Sequence, residues 1–438
     1  MDNNNLTNDS IKQKNVNKAL CIILAILFGV LCFLGGFFIK EITKSDEVRT
    51  VEWLVNYVTK YGYYLDEETG ELKKYTSKDF ANAIIDGLLD DYSDYYTKQE
   101  YNDVINTNKG NKYGLGIGLL KSTDDLRVFS VTGNSPADKA NMKSGDVIVA
   151  GSTISGDKKG ISTRKELTEF TSQFKKGEEF ILYCDRDGVE KKFTVKADVF
   201  ISSFVKYYDS QTYGYFTENQ SGTDLEFKTT PSTEMLVLGD DIAYIKFTSF
   251  NGKAAFEMDT VMQYVKERKK TKIILDLRDN GGGRMAVLCD VASHFISYSV
   301  SNEPVVVRAK DVNGRLTRYS TTSKFNQDIE RIAVIANNYS ASATECLIGA
   351  MLDYMYRFGE KNLVIETGDG ATGKTFGKGI MQRTFLSPFT GEAIEITVAE
   401  ILTPITNKSY HGVGFSTTPA NTVGKKYALY RAIETLAD

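Results

Sequence analysis

The chain has 438 residues, of which 42% are hydrophobic and 25% are charged. This length exceeds what one hydrophobic core normally organises, so we expect two or three domains. The formal net charge of -4 offers no general attraction to nucleic acid, and the five cysteines show neither the spacing of a zinc site nor a disulfide framework.

The first predicted element is a membrane anchor. Residues 19–39 carry no charge, and a helix of this length reaches roughly 30 Å, enough to cross a bilayer core. A cleavable signal peptide is the alternative, but the apolar run is long and no A-x-A-like site follows it. Lysines before the run favour a cytoplasmic N-terminus. We therefore expect a cytoplasmic tail (residues 1–18), a single transmembrane helix (19–40) and a protein body outside the cytoplasm.

Two helical patterns and then several short β patterns follow the anchor. Apolar spacing predicts an N-terminal helical segment within residues 45–104. Residues 105–200 predict a small, mostly β domain whose strands are separated by glycine and aspartate turns, at 114–120, 127–132, 147–150, 180–183 and 192–195. The polar stretch 210–230 predicts either a loop or a hairpin insertion.

Strand and helix patterns alternate within residues 201–438, which predicts an α/β core. Strands are expected at 242–247, 273–277, 305–308, 332–336 and 362–366, and helices at 252–269, 284–296 and 343–358. In such cores, glycine-rich turns between a strand and a helix commonly hold ligands and catalytic groups.

Three motifs in this core supply the parts of a serine peptidase that uses lysine as its base. Leu275–Gly283 ends a strand in glycines whose amides can bind an oxyanion. Ser342 opens a helix, where the Ala343 amide is a further donor. Lys378 lies between two glycines, and it can act as a base only if burial or a positive charge lowers its pKa. The chain has only two histidines and no G-x-S-x-G motif, so a Ser-His-Asp arrangement is poorly supplied.

Each motif also has a structural or rival interpretation. Ser342-x-x-Glu345 is a helix capping box. Gly281-x-Gly283-x-x-Ala286 matches a dinucleotide fingerprint, but this short pattern is weak alone. Residues 368–375 match a phosphate-binding loop, although the β-like stretch after them leaves no helix N-terminus for a phosphate.

In content and order the motifs resemble those of the C-terminal processing (tail-specific) serine peptidases. Ala341–Glu345 is similar to the family's A-S-A-S-E segment, Thr375–Gly379 to its T-F-G-K-G segment, and Leu275–Gly283 to its L-D-L-R-N-N-P-G-G strand and turn. The resemblance implies a crotonase-like (ClpP-like) core and no metal or organic cofactor. It makes Ser342 the nucleophile and Lys378 the base, with an oxyanion hole formed by the amides of Ala343 and of Gly282 or Gly283.

Gln382 occupies the position of a glutamine that orients the lysine in some members of the family. A straight strand would place it about 13 Å from Lys378, whereas a helical turn would bring it within roughly 6 Å. The sequence leaves these alternatives open.

Residues 113–117 and 135–148 resemble a PDZ domain, which this family carries between its N-terminal helices and its core. Glycines in the loop can expose backbone amides to a terminal carboxylate, and an open strand edge can accept a peptide as an added strand. The expected peptide-binding residues are Gly114, Leu115, Gly116 and Ile117. A glycine-broken edge strand is the alternative. Asn141 stands where the PDZ motif has glycine, Thr344 replaces a serine, and an insertion between nucleophile and base is assigned to residues 356–372.

Together these features predict a single-pass cell-membrane serine endopeptidase whose catalytic part lies outside the cytoplasm. Its expected substrates are proteins or peptides with unstructured apolar C-termini, captured by the PDZ domain. The resemblance also implies homo-oligomers formed through the N-terminal helices. The alternative is a catalytically inactive, membrane-tethered PDZ adaptor that binds protein C-termini, which the insertion favours.

Overall fold

The computed structural model describes residues 24, 26–29, 44–61, 74–109, 111–119, 125–143, 145–296, 304–321, 328–355, 357–368 and 373–437. The predicted cytoplasmic tail and most of the predicted anchor lie outside these residues. Within the described ranges, no helix has both the length and the apolar character needed to cross a bilayer. The chain divides into two compact units, residues 1–88 and 89–438.

Among the described residues of the first unit, two helices have defined bounds, α1 (Asp46–Tyr61) and α2 (Ser77–Leu88). Helix α1 has acidic residues in its first turn and Lys60 in its last, a distribution that complements the helix dipole. Helix α2 begins after Thr76, whose amide donates to a carboxylate oxygen of Asp79 at 2.7 Å. The predicted N-terminal helices are therefore confirmed. Several large apolar side chains of α1 are exposed: Val48, Val51, Trp53, Leu54 and Tyr57.

The second unit begins with β1 (Asp94–Tyr96) and α3 (Lys98–Asn108), and a small, mostly β domain follows. Its elements are β2 (Asn111–Tyr113), β3 (Ile117–Leu119), β4 (Val128–Val131), α4 (Pro136–Lys139), β5 (Val147–Thr153), β6 (Lys159–Gly160), α5 (Arg164–Ser172), β7 (Glu179–Arg186), β8 (Val189–Lys196) and β9 (Val199–Ile201). Strand β7 lies between β5 and β8, and alternate residues Phe180, Leu182 and Cys184 belong to the domain's own core. The strands predicted here are confirmed, except that the first begins at Ile117 and not at residue 114.

A large mixed sheet organises the rest of the unit, as the alternating patterns predicted. Its strands lie in the order β12-β11-β10-β13-β14-β17-β18-β21, with parallel pairing from β13 to β21. They are β10 (Val205–Tyr208), β11 (Thr212–Glu218), β12 (Leu225–Pro231), β13 (Ile242–Phe247), β14 (Lys272–Asp276), β17 (Arg331–Ala336), β18 (Leu363–Thr367) and β21 (Thr422–Gly424). Strands β15 and β16, which lie between β14 and β17 in the chain, belong to a second sheet.

Helices cover both faces of this sheet, which explains why its parallel strands are continuously apolar. They are α6 (Ala254–Glu267), α7 (Met285–Ala292), α8 (Ala343–Tyr354) and α9 (Ala428–Ala437). Helices α6, α7 and α8 pack in the main core with Leu275 and Val334. Helix α9 covers the other face, where Ala432 and Leu436 join Ile274 in a second cluster.

A second sheet places the candidate base. It contains β15 (Val305–Asp311), β16 (Leu316–Ser320), β19 (Ile380–Leu386) and β20 (Ala393–Leu402), and β1 pairs antiparallel with β20. The sequence patterns gave no prediction for β1 or β20. Strand β1 precedes the small β domain in sequence, but it therefore belongs to a sheet formed by strands that follow that domain.

Three sequence interpretations change in the structure. Residues 210–230 contain the β11–β12 hairpin at the edge of the large sheet, which decides between the loop and the hairpin. The stretch assigned to an insertion contains β18, a strand paired with both β17 and β21, so much of it is part of the core. Helix α8 ends earlier than predicted, because Met355 adopts a left-handed conformation.

Candidate active site

The glycine-rich turn after β14 lies directly against the predicted nucleophile. Gly282 has a φ of 99°, and a Cβ there would lie 2.8 Å from both the Cβ of Ser342 and the amide nitrogen of Ala343. Gly283 has a φ of 149°, and its Cβ would lie 2.6 Å from the carbonyl oxygen of Phe250. Only glycine fits this backbone conformation and this close approach.

Asn280 fixes the turn and joins it to the nucleophile segment. Its side chain accepts a hydrogen bond from the Gly282 amide at 3.0 Å and donates one to the Phe247 carbonyl at 3.0 Å. Its carbonyl oxygen accepts from the Ala341 amide at 3.0 Å and from the Thr344 hydroxyl at 2.8 Å. Thr344 therefore has a structural role that needs its hydroxyl, which the family's serine also has.

Ser342 stands at the N-terminus of α8 in a strained backbone conformation. Its φ of 57° and ψ of -118° lie outside the regions that residues with a side chain prefer. The Ser342 amide donates to Glu345 Oε2 at 3.1 Å, which is the carboxylate half of the predicted capping box. Strain of this kind persists only where neighbouring residues hold the backbone, and it is concentrated at functional sites.

Two backbone amides beside Ser342 have no hydrogen-bond acceptor in the part of the chain that the structure describes. They belong to Gly283 and Ala343, whereas the Gly282 amide is bound to Asn280. Ala343 is the first residue of α8, where the amide has no intrahelical partner and the helix dipole is positive. These two amides are the donors that an oxyanion at this place would meet.

Glu345 connects the backbone of the candidate nucleophile to that of the candidate base. Its buried carboxylate accepts from the Thr375 hydroxyl at 2.6 Å and from the Gly377 amide at 2.7 Å. The second oxygen accepts from the amides of Lys378 at 2.7 Å and Ser342 at 3.1 Å. Burial raises the pKa of Glu345, and the four donated hydrogen bonds oppose that shift. The sequence identified this residue only as a cap.

Lys378 is half-buried between two tightly packed glycines. Gly377 has a φ of 92°, and a Cβ at Gly379 would lie 2.7 Å from the His411 amide nitrogen. The Lys378 amine lies over the ring of Tyr92, 4.7 Å from its centroid. Burial lowers the pKa of Lys378, and the carboxylates of Glu395 and Asp90 oppose that shift. A lowered pKa is what a lysine base requires.

Ser342 and Lys378 line one cavity of about 370 Å³. Much of its wall is apolar, contributed by Met285, Cys346, Ile380, Met381 and Ile401. Among the contacts of the described residues, no hydrogen bond joins the Ser342 hydroxyl to the Lys378 amine. The structure therefore brings the two groups to one site with the amine resting on an aromatic ring.

Gln382 lines the same cavity, but it lies in strand β19. The strand has a bulge between Met381 and Gln382. Gln382 Nε2 donates to the Thr397 hydroxyl at 3.0 Å, and no hydrogen bond to Lys378 is present among the described contacts. The lysine-orienting role of Gln382 stays a prediction.

The predicted peptide-binding loop has the backbone that its sequence requires. Gly114 and Gly116 have φ values of 126° and 74°, and a Cβ at Gly116 would lie 2.2 Å from the Cβ of Ser135. The Leu115 carbonyl accepts from the Ala137 amide at 3.0 Å, so the loop is braced by α4. Within the described residues, β3, which begins at Ile117, pairs only with β4 and keeps one edge unpaired.

Asn141 and His294 have local structural explanations. Asn141 has a φ of 62°, a conformation that asparagine tolerates better than most residues, so its replacement of glycine is accommodated. His294 is buried just after the end of α7, and its Nε2 lies 2.6 Å from Asp259 Oδ1. Over the described ranges, no group of His, Cys, Asp or Glu residues is arranged to hold a metal ion.

Sequence reasoning missed Tyr92 and the structural role of Asn280. Asn280 stands inside the glycine-rich turn, so a polar side chain able to cap that turn was a detectable signal. Tyr92 had no such signal, because its position depends on the pairing of β1 with β20, about which its neighbours in sequence say nothing.

Comparison with known proteins finds two domain matches in this chain. The profile described as "Peptidase family S41" matches residues 241–418, and the one described as "PDZ domain" matches residues 114–197. A "Probable CtpA-like serine protease" of Staphylococcus saprophyticus is 30% identical over 384 residues, which cover 86% of this chain and 65% of the relative. A protein of the same name from Staphylococcus haemolyticus is 25% identical over 431 residues, covering 94% and 74%.

Among solved structures, the photosystem II D1 C-terminal processing protease overlays on 85% of each chain with a TM-score of 0.49 and 18% identity. This chain spans 65% and 74% of the length of the two staphylococcal relatives. The S41 match contains both Ser342 and Lys378, and the PDZ match begins at Gly114. The chain therefore contains a domain of peptidase family S41, with a PDZ domain before it.

Proposed function

We propose that this protein is a serine endopeptidase that uses a Ser342–Lys378 dyad. One observation carries the proposal: a strained serine and a half-buried lysine line the same cavity beside two unoccupied backbone amides. The parallel sheet covered by helices also supports the crotonase-like class that the family resemblance implies.

The reaction proceeds through an acyl-enzyme. The neutral Lys378 amine takes the proton of the Ser342 hydroxyl while the serine oxygen bonds to the substrate carbonyl carbon. The resulting oxyanion accepts hydrogen bonds from the amides of Gly283 and Ala343. The carbon–nitrogen bond then breaks, and the leaving amine takes the proton from the Lys378 ammonium. Water hydrolyses the ester with Lys378 again as base, which restores both residues.

Proteolysis of β-casein, an unstructured protein, tests the dyad. Ser342→Ala and Lys378→Ala are each expected to lower the rate of cleavage at least about 1000-fold, because the two residues act as one unit. Lys374→Ala, a change in the same segment that leaves the dyad intact, is the matched control. Wild-type rates in both dyad variants would contradict the proposal. Tail binding without cleavage by the wild type would instead favour the adaptor.

The PDZ domain is proposed to capture unstructured apolar C-termini. The glycine loop at residues 114–117 is braced by α4, and the unpaired edge of β3 can accept an extended peptide as a further strand. A peptide with a free carboxylate is therefore expected to bind at least about tenfold more tightly than its C-terminal amide. Equal affinities, measured by calorimetry, would contradict capture through the carboxylate.

Membrane anchoring through residues 19–40 and an extracytoplasmic catalytic part are also proposals. They are supported by the long uncharged run and by the lysines before it. The full chain is expected to remain in the membrane fraction after alkaline extraction, with its catalytic part open to protease added outside the cell. Release by alkali, or protection of the catalytic part, would contradict the proposal.

Homo-oligomers are proposed to form through the N-terminal helices. The exposed apolar side chains of α1, among them Trp53 and Leu54, support this assembly, because contact with a second copy of the chain would remove their apolar surface from water. Light scattering of residues 41–438 is expected to show an oligomer that Trp53→Glu dissociates. A monomer at the same concentration would contradict it.

A further inference from the structure

Residues 89–96 form part of the base side of the site. Asp90 begins a turn in which its Oδ1 accepts from the Tyr92 amide at 3.2 Å and the Ser93 hydroxyl at 2.7 Å. Strand β1 then pairs with β20, and the Tyr96 hydroxyl donates to Glu395 Oε2 at 2.8 Å. These contacts fix the backbone of Tyr92 from both sides.

The side chain of Tyr92 lies between the base and a neighbouring loop. Its ring centroid is 4.7 Å from the Lys378 amine, and the ring meets His411 edge-on at 6.4 Å between centroids. In the described part of the chain the amine makes no hydrogen bond, so the aromatic face is its direct partner. An aromatic face attracts an ammonium ion, whereas a neutral amine gains little from it.

We propose that Tyr92 is a positioning residue that holds the protonated Lys378 in a resting place, apart from the Ser342 hydroxyl. Loss of the proton weakens the contact with the ring and frees the amine to engage the serine. Tyr92 thus favours the resting protonated base over the engaged neutral one. This inference rests on the proposed Ser342–Lys378 dyad.

Other charged or titratable groups around the amine also affect the equilibrium between the protonated and neutral forms of Lys378. They come from every element that packs around it: Asp90 and Tyr92 before β1, Glu395 on β20, Glu345 on α8, Arg284 before α7 and His411 in the following loop. Burial and nearby carboxylates raise the pKa of the Tyr92 phenol, which favours its neutral form. Replacing the ring without changing these charges isolates its contribution.

The test is the rate at which a fluorophosphonate labels Ser342 in the full chain, measured from about pH 5 to about pH 11, a range that spans the ordinary pKa values of His and Lys. Tyr92→Leu removes the aromatic face and stays apolar, whereas Tyr92→Phe keeps the face. We expect Tyr92→Leu to lower the midpoint of the pH–rate curve by about 0.5 to 1 unit, which makes labelling about 3- to 10-fold faster below the midpoint. The plateau at high pH should be unchanged.

Tyr92→Phe is expected to keep the wild-type midpoint, and Tyr430→Leu, at an exposed tyrosine of α9, controls for loss of a tyrosine elsewhere. An unchanged or raised midpoint in Tyr92→Leu would overturn the inference and leave the proposed dyad intact. Labelling that is independent of Lys378, seen as a wild-type rate in Lys378→Ala, would overturn the dyad and this inference with it. A change in stability alone would not move the midpoint, so a purely structural role is distinguishable.

Discussion

The two sides of the candidate active site are held in different ways. On the nucleophile side, Ser342 has a strained backbone fixed by Glu345, and the glycine turn packs against its Cβ. On the base side, the backbone of Lys378 binds the same carboxylate, but its amine rests on the ring of Tyr92. The serine is thus placed by rigid packing, whereas the lysine is placed by a contact that depends on its charge. In the proposed reaction, rigidity serves the attacking group, and adjustability serves the group that must gain and lose a proton.

Breaking the rigid side should have the largest effect on chemistry. Gly282→Ala forces a Cβ to within 2.8 Å of Ser342 and Ala343 at a φ of 99°. We expect fluorophosphonate labelling of Ser342 to fall at least about 100-fold, because both nucleophile and oxyanion donors move. Gly281→Ala is the matched control for folding, since a Cβ there meets nothing within 4 Å. Full labelling in Gly282→Ala would show that the nucleophile side tolerates displacement.

Removing the shared carboxylate should disturb both sides together. Glu345→Ala leaves the buried amides of Ser342, Gly377 and Lys378 without an acceptor. The free energy of unfolding in urea is expected to fall by about 3 kcal/mol or more, and labelling should fall with it. Glu345→Gln, which keeps one carbonyl oxygen, should have a stability and a labelling rate between those of Glu345→Ala and the wild type. The exposed Glu267→Ala should match the wild type in both. A stable, fully reactive Glu345→Ala protein would contradict the linking role.

Changing charge near the amine should give a smaller effect, confined to the base side. Glu395 raises the pKa of Lys378 against the larger lowering by burial. Glu395→Gln therefore destabilises the ammonium form and should move the acid limb of the labelling profile to lower pH, by a few tenths of a unit to about one. The plateau rate should stay constant, and Glu400→Gln on the same strand should leave the profile unmoved. A shift to higher pH would contradict this electrostatic account.

The sequence predicted the elements whose signals are local. The apolar run of β14, the glycines after it and the helical spacing after Ser342 each carry their own pattern, and the structure brings these motifs to one cavity. Strand β20 was missed although its apolar residues alternate with polar ones, which is a local strand pattern, and β1 was missed because it has only three residues. The contact between Tyr96 and Glu395 joins positions 299 residues apart, so no local pattern could place Tyr92 over the base.

If the Lys378 amine is the base for Ser342, replacing it by a weaker amine should change the pH dependence of cleavage. Lys378→Cys, made with Cys21→Ser and Cys32→Ser, can be alkylated with bromoethylamine to give an aminoethyl thioether of lysine's length. The three described native thiols are buried, and burial raises the pKa of Cys289 to about 11 and of Cys184 and Cys346 to about 12, so they form little reactive thiolate.

Because the thioether sulfur withdraws electrons, the new amine has a lower pKa than lysine. We expect no β-casein cleavage before alkylation and restored cleavage after it, with the acid limb of the pH–rate profile moved to lower pH. Cleavage by the unalkylated variant, or a restored profile with the wild-type acid limb, would contradict the assignment of Lys378 as the base.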